Sequence, residues 1–337
     1  MINLISDTVT RPSTAMLEAM THAEVGDDVF KEDPTINRFQ EMVATMFGME
    51  DALFCPSGTM TNQIAIKCHT NPMDELICDK LSHVYQSENG GYAYNSGIAI
   101  NLIDGKNGKI TAEEISSVIK PDYDWFPKSK LVVIENSCNI AGGTFYTFDE
   151  MRSISNFCRS RKLALHLDGA RIFNVLAETN DSTREIGKLF DSMSLCMSKG
   201  LGAPVGSVLL GTTDFIKKAR RIRKAMGGGM RQAGILAAAC IYALVNNRER
   251  LKIDNDRAKE LAITLSQCSF VDSIRPVQTN IVIFNVNQDL DGSTLLHKLK
   301  EKGINAAAFG SHTIRFVTHL DLSDADIQNT KNILLSM

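Results

Sequence analysis

Aromatic residues make up only 7% of the 337 positions, and there is a single tryptophan. Nor is there an excess of positive charge: 36 Lys and Arg stand against 39 Asp and Glu, for a net charge of −3. Such a chain has no general attraction for nucleic acid or an anionic membrane. Its most basic stretch, "KKARRIRK" (217–224), has neither aromatic partners nor a basic domain around it, and most of it reads as a solvated helix face. The eight cysteines form no CxxC pair. Most lie in apolar runs ("ALFC", "ELIC", "NFC", "SLC", "AAAC"), as reduced core cysteines do, which excludes a disulfide scaffold and makes the cytoplasm the expected compartment. No HExxH and no cluster of His and Cys at ligand spacing occurs, so no metal is expected. Neither GxxxxGK[ST] nor a strand followed by GxGxxG is present, which argues against P-loop and nicotinamide chemistry. The longest apolar run, "ILAAACIYALV" at 235–245, is too short to span a bilayer, and "MINLISDTVTRP" lacks the regions of a signal peptide.

What is there is ordinary for a globular protein: 44% apolar and 22% charged residues. Short apolar runs ("DALFC", "ELICD", "KLVVIEN", "LALHLD", "MSLCMS", "GSVLLG") alternate with helical patterns. That alternation predicts an α/β fold with a mainly parallel sheet covered on both faces. "NRFQEMVATMF" puts Phe39, Met42, Val43 and Met46 on one helical face. A helix over 246–267 closes the larger unit. "NIVIFNV", "LLHKLKEKG", "TIRFVTHL" and "DADIQNTKNILL" then read β-α-β-α. The expected organisation is an N-terminal arm (1–12), a large domain (13–249) and a small C-terminal α/β domain (250–337).

In such sheets ligands bind beyond the carboxyl ends of the strands. "FCPSGTMTNQ" (54–63) places Ser-Gly-Thr where a strand gives way to a helix. This is either a cap by Ser57 or Thr59, or a phosphate site built on free N–H groups and the helix dipole. "ALHLDGAR" ends an apolar strand on Asp168; a carboxylate there needs a cation or a cap, and Arg171 is near in sequence. "MSKGLGAP" (197–204) ends the next strand-like run on Ser198 and Lys199. A phosphate cradle, a carboxylate and a lysine in one crevice match pyridoxal phosphate: phosphate held, ring nitrogen kept protonated, and a covalent link through the amine.

"SDTVTRP", "GDDVFKEDPT", "PSGTMTNQ", "LHLDGAR", "SKGLGAPVGS" and "GGGMRQAG", in that order along nearly the whole chain, resemble the low-specificity L-threonine aldolases. These are fold-type I pyridoxal 5'-phosphate enzymes, with a large domain whose sheet is of the seven-stranded type. The resemblance implies that Lys199 holds the cofactor, Asp168 pairs with its ring nitrogen, and Gly58, Thr59 and Ser198 contact its phosphate. His83 would stack on the ring and take the β-hydroxyl proton. Ser6, Arg171 and Arg315 would hold the substrate carboxylate, Arg315 by a two-point contact. Lys224 and Arg231 would reach the phosphate of a neighbouring subunit, implying a homo-oligomer, usually a homotetramer. The reaction implied is retro-aldol cleavage of a β-hydroxy-α-amino acid to glycine and an aldehyde.

Two positions depart from the family pattern. Trp125 stands where many relatives carry a histidine that grips the β-hydroxyl; an indole N–H donates but accepts no proton, so Trp125 is expected to reshape the substrate pocket. Phe30 and Lys31 stand where relatives often have tyrosine and glycine. The cofactor residues alone do not separate an aldolase from a β-eliminating lyase, an aminotransferase, or an aldolase for a bulkier phenylserine-like substrate.

Overall fold

The computed structural model describes residues 1–337. Thirteen strands form three sheets. The large sheet contains β2 (Asp51–Cys55), β3 (Asp74–Asp79), β4 (Ala99–Ile103), β5 (Lys128–Glu135), β6 (Ala164–Gly169), β7 (Ser192–Cys196) and β8 (Ser207–Gly211), in the order β2-β8-β7-β6-β5-β3-β4. All its neighbours run parallel except β8, which is antiparallel to both β2 and β7. The two reversals cancel, so the carboxyl ends of β2, β3, β5, β6 and β7 share one edge. Strands β3, β7 and β8 are buried along their whole length, as expected where helices cover both faces. The mainly parallel α/β architecture read from the sequence is what the structure shows; the edge strand β4, within "GIAINLID", is an addition to that reading.

The helix Pro34–Phe47 shows how sequence sets these elements. Asp33 accepts from the Ile36 N–H at its start, Pro34 takes the first turn, and Gly48 ends it in the left-handed region at φ 64°. Ile36, Phe39, Val43, Ala44 and Phe47 form its buried stripe. Met42 and Met46, expected on that face, sit half-buried at its margin.

The C-terminal part has a different sheet. Strands β9 (Val271–Ile274), β10 (Ile281–Val286), β12 (Ala307–Ala308) and β13 (Thr313–Val317) run antiparallel in the order β12-β13-β10-β9. One face, that of Val282, Phe284, Ile314 and Phe316, is covered by the helices Leu251–Leu265, Gly292–Glu301 and Asp324–Leu335, while Ile281, Ile283 and Val317 form a separate cluster. The start of the chain joins this part: β1 (Ile2–Asn3) pairs in parallel with β11 (Ile304–Asn305), and Ile2 and Leu4 pack in the same apolar cluster as Phe284 and Phe316. No helix is long and apolar enough to cross a membrane.

Candidate active site

Each sheet position matters at the shared carboxyl edge. Glu135 at the end of β5 lies opposite Asp168 near the end of β6, and Cys55 and Cys196 flank Ser207 on either side. The helix Gly58–His69 starts just beyond β2, and Ser198 and Lys199 follow just beyond β7. Sequence-distant residues therefore arrive at one place because their strands end at one level.

Ser57 caps the helix by accepting from the Met60 N–H at 3.2 Å. The N–H groups of Gly58 and Thr59 have no backbone partner, leaving donors at the positive end of the helix dipole. A Cβ on Gly58 would lie 2.7 Å from the Cys196 sulfur, so only glycine lets the helix start approach β7 this closely. Of the two alternatives in the sequence the Ser57 cap is formed, and it leaves these two N–H groups free. Ser198 and Lys199 are half-buried, and Lys199 is near enough to Asp7 to stabilise its charge.

Asp168 is buried, but Arg171 is not its partner. Its Oδ1 accepts from the Ala170 N–H at 3.2 Å and its Oδ2 from the Asn62 Nδ2 at 2.8 Å. Arg171 is bound instead to Asp7, through Nε and Nη2, each at 2.7 Å. That fork uses the face of Arg171 expected to grip a substrate carboxylate. Its remaining Nη1 points to Asn139 Oδ1, at 3.5 Å. Burial disfavours the Arg171 charge, and the facing Asp7 carboxylate outweighs it, raising the guanidinium above its ordinary value.

Arg315 on β13 approaches the same Asn139 oxygen, at 3.1 Å from Nη1, while its Nη2 donates to the Ile5 carbonyl at 3.1 Å. Its Nε is buried with no partner. Burial and the Arg171 charge push this guanidinium down to about 10. A half-buried arginine short of one acceptor, beside a second cation, suits an anion. The Ser6 oxygen accepts from the backbone N–H and hydroxyl of Thr8, leaving its own hydrogen to donate.

His83 opens a short helix after β3. Its N–H donates to Glu135 Oε2 at 2.9 Å, and its Nδ1 lies 2.9 Å from Glu88 Oε1. Burial works against the imidazolium, but Glu88, Asp168 and Glu135 outweigh it, so His83 titrates above its ordinary value. Burial and the Asp168 charge push Glu135 up to about 7. Donor atoms of His83, Glu88 and Asp168 lie within 4.8 Å of one another, close enough to share a cation. A cation there would displace the Asn62 amide hydrogens directed at both carboxylates.

Three expected residues lie elsewhere. Trp125 is 72% exposed and precedes β5, stacked on Tyr123 at 4.8 Å. The adjacent Phe126 lines a hollow with Leu163, just before β6. This is the amino edge of the sheet, opposite Lys199, so within its own protomer Trp125 does not line the substrate pocket. A motif position fixes a residue in sequence, not the side of the sheet it occupies. Lys224 and Arg231 are exposed; Arg231 pairs with Asp27 at 2.8 Å. Lys224 borders a basic hollow with Lys31, Lys217, Arg220 and Arg221. Phe30 beside it is 69% exposed. Lys31 adopts φ 63°, the left-handed conformation that favours the glycine expected there.

The sequence reading missed Asp7, Asn62, Glu88, Glu135 and Asn139. Asp7 stood inside the quoted "SDTVTRP", and Asn62 inside "PSGTMTNQ", one helical turn after Gly58.

The whole arrangement has counterparts. A family profile described as beta-eliminating lyase matches residues 3–289. The low specificity L-threonine aldolase of Escherichia coli K12 is 43% identical over 324 residues, covering 96% of this chain and 95% of that one. Low-specificity L-threonine aldolase 1 of Arabidopsis thaliana is 37% identical, covering 98% and 94%. The solved structure of Leishmania major threonine aldolase superposes with a TM-score of 0.85 at 21% identity, covering 99% of this chain and 98% of that one, which carries the fold. With such identity along nearly its full length, the chain belongs to the low-specificity L-threonine aldolase family.

Proposed function

We propose that the protein cleaves β-hydroxy-α-amino acids of the L-threonine and L-allo-threonine type to glycine and an aldehyde, using pyridoxal 5'-phosphate. The observation that supports this reading best is a chain of contacts: His83 lies beside Asp168, Lys199 and Arg171 face Asp7, and Arg171 and Arg315 share Asn139, with the Arg315 Nε left without a partner. The residues fit the cofactor: Gly58 and Thr59 offer free N–H groups to a phosphate, and Ser198 follows two residues after Cys196, whose sulfur faces Gly58. The carboxylate of Asp168, already facing N–H donors, suits a protonated ring nitrogen.

When bound, the cofactor supplies an electron sink for the bond broken at the substrate α-carbon. Lys199 would hold it through Nζ, and Asp168 would keep the proton on its ring nitrogen. Arg315, with Ser6 and the remaining N–H of Arg171, would fix the substrate carboxylate and so set the angle of the scissile bond. His83, with Nδ1 turned to Glu88, would present Nε2 to the β-hydroxyl and take its proton. The test is product analysis with a panel of β-hydroxy amino acids. Glycine plus aldehyde supports the reading; pyruvate plus ammonia, or amino transfer, replaces it by an eliminating lyase or an aminotransferase.

We also infer a homo-oligomer, a homotetramer by the family pattern, in which Lys224 and Arg231 serve a neighbouring site; their exposure beside Phe30 supports this. An arm at 1–12, a large unit at 13–249 and a small one at 250–337 remain the proposed organisation. Eight free, buried cysteines suit a reducing cytoplasm. Trp125 would act on substrate only across a subunit boundary. Trp125→His is then expected to change the threonine to allo-threonine ratio of kcat/KM by about tenfold, measured beside wild type. An unchanged ratio removes Trp125 from substrate selection.

A further inference from the structure

We propose that Asn62 is a positioning residue: one buried amide orders the protons around both carboxylates of the site, at the head of a polar chain running to His69. Its effect on catalysis rests on the aldolase reading; the proton order does not.

The order follows from counting donors. Asn62 stands 2.8 Å from Glu88 Oε1 and 2.8 Å from Asp168 Oδ2. Only the NH2 end of an amide can face two carboxylates. Glu88 Oε1 thus already accepts from Asn62 where His83 Nδ1 approaches it at 2.9 Å, and Gln63 Nε2 donates to Oε2 at 2.6 Å. Asn62 Oδ1 is thereby turned toward His166 Nε2, at 3.1 Å, and that nitrogen must carry hydrogen. Burial, with His69 beside it, holds His166 down to about 3. It is neutral, so its Nδ1 is bare and accepts from the Ser192 hydroxyl at 2.8 Å. The Ser192 oxygen in turn accepts from His69 Nε2 at 2.8 Å. Burial keeps His69 neutral as well, down to about 4, and its ring stacks on Phe215 at 4.7 Å.

Every donor in this chain points toward the carboxylate pair. At the far end, the Glu88 carboxylate is fixed by Asn62 and Gln63 and is left to accept Nδ1–H from His83. His83 is thereby held as the Nδ1–H tautomer when neutral, with Nε2 bare. A neutral imidazole left to itself favours the opposite form, so the tautomer is a signature of the chain. The charged groups facing His83 are Glu88 from the segment after its helix, Glu135 from β5 and Asp168 from β6.

The test uses the isotope-labelled protein as purified and proton–nitrogen correlation spectra of its seven histidines between about pH 6 and about pH 9. Neutral His83 is expected to show Nδ1–H; His69 and His166 are expected to stay uncharged throughout and show Nε2–H. Asn62→Asp keeps the shape but replaces the two-hydrogen donor by a carboxylate. It is expected to raise the His83 pKa by about one unit, move the acid limb of kcat/KM by the same amount, and lower kcat by about 10–100-fold. Asn62→Leu is expected to lower kcat similarly without that upward shift. Neutral His83 found as Nε2–H, a charged His166, or a His83 titration identical in wild type and Asn62→Asp overturns the proposal. If the variants fail to fold, the wild-type spectra decide alone. If those spectra are as expected but wild-type enzyme makes no glycine and aldehyde, the aldolase reading fails and the proton order stands.

Discussion

Lys199→Ala is expected to lose activity on the order of 10³-fold or more, with Lys199→Arg losing as much. The two substitutions separate two roles. Arginine keeps a positive charge opposite Asp7, whose carboxylate responds to Lys199, but a guanidinium does not condense with an aldehyde. Equal losses assign the role to the amine itself; recovery in the arginine variant assigns it to charge. Borohydride reduction after adding pyridoxal phosphate, followed by peptide mass mapping, is expected to label Lys199 in wild type and nothing in either variant. A label on another lysine would remove Lys199 from the centre of the site.

The second large effect is on stability. Asp7→Ala leaves the buried Arg171 guanidinium without its carboxylate, a loss of roughly 3–5 kcal/mol for a fully desolvated pair. The expected result is a Tm lower by roughly 4–7 °C, read by calorimetry. The double variant Asp7→Ala with Arg171→Met should cost less than the sum of the single ones, because it leaves no stranded charge. Wild type carries the same interaction in its pH dependence. Burial raises the Asp7 carboxyl, but Arg171 outweighs it and holds the group at about 2, against an ordinary 3.8. The folded value is the lower one, so this stabilisation, about 2 kcal/mol, is complete above about pH 4 and is lost as pH falls toward 2. An Asp7→Ala protein as stable as wild type at neutral pH would mean that the pair is not formed.

How much of this could be read beforehand differs between residues for physical reasons. Lys199 and Asp168 were legible because charges at the ends of apolar strands are costly and demand an explanation. The alternation of strand and helix gave the sheet, since burial on both faces writes continuous apolar runs. Asn62, Glu88 and His166 were not legible. An amide inside a helix leaves no periodic trace, and its importance arises only when β6 and the segment after β3 bring two carboxylates to it. The Asp7–Arg171 pair spans 164 positions, and proximity in sequence pointed Arg171 at Asp168 instead. For Trp125 the motif was informative and the location was not. A pattern of residues does not say which end of a strand they adjoin, nor whose pocket they face.

The pairing of β1 with β11 has a consequence for biosynthesis. Residues Ile2 and Asn3 leave the ribosome 302 positions ahead of their partners Ile304 and Asn305. At usual translation speeds the opening segment waits roughly 15–60 s for them. During that interval the apolar side chains of Ile2 and Leu4 are without their final neighbours, and Asp7, tied to Arg171, can already be anchored much earlier. Assembly of the nascent chain is therefore expected to close from Asp7 back toward Ile2, with the pairing of β1 and β11 formed after the Asp7–Arg171 pair.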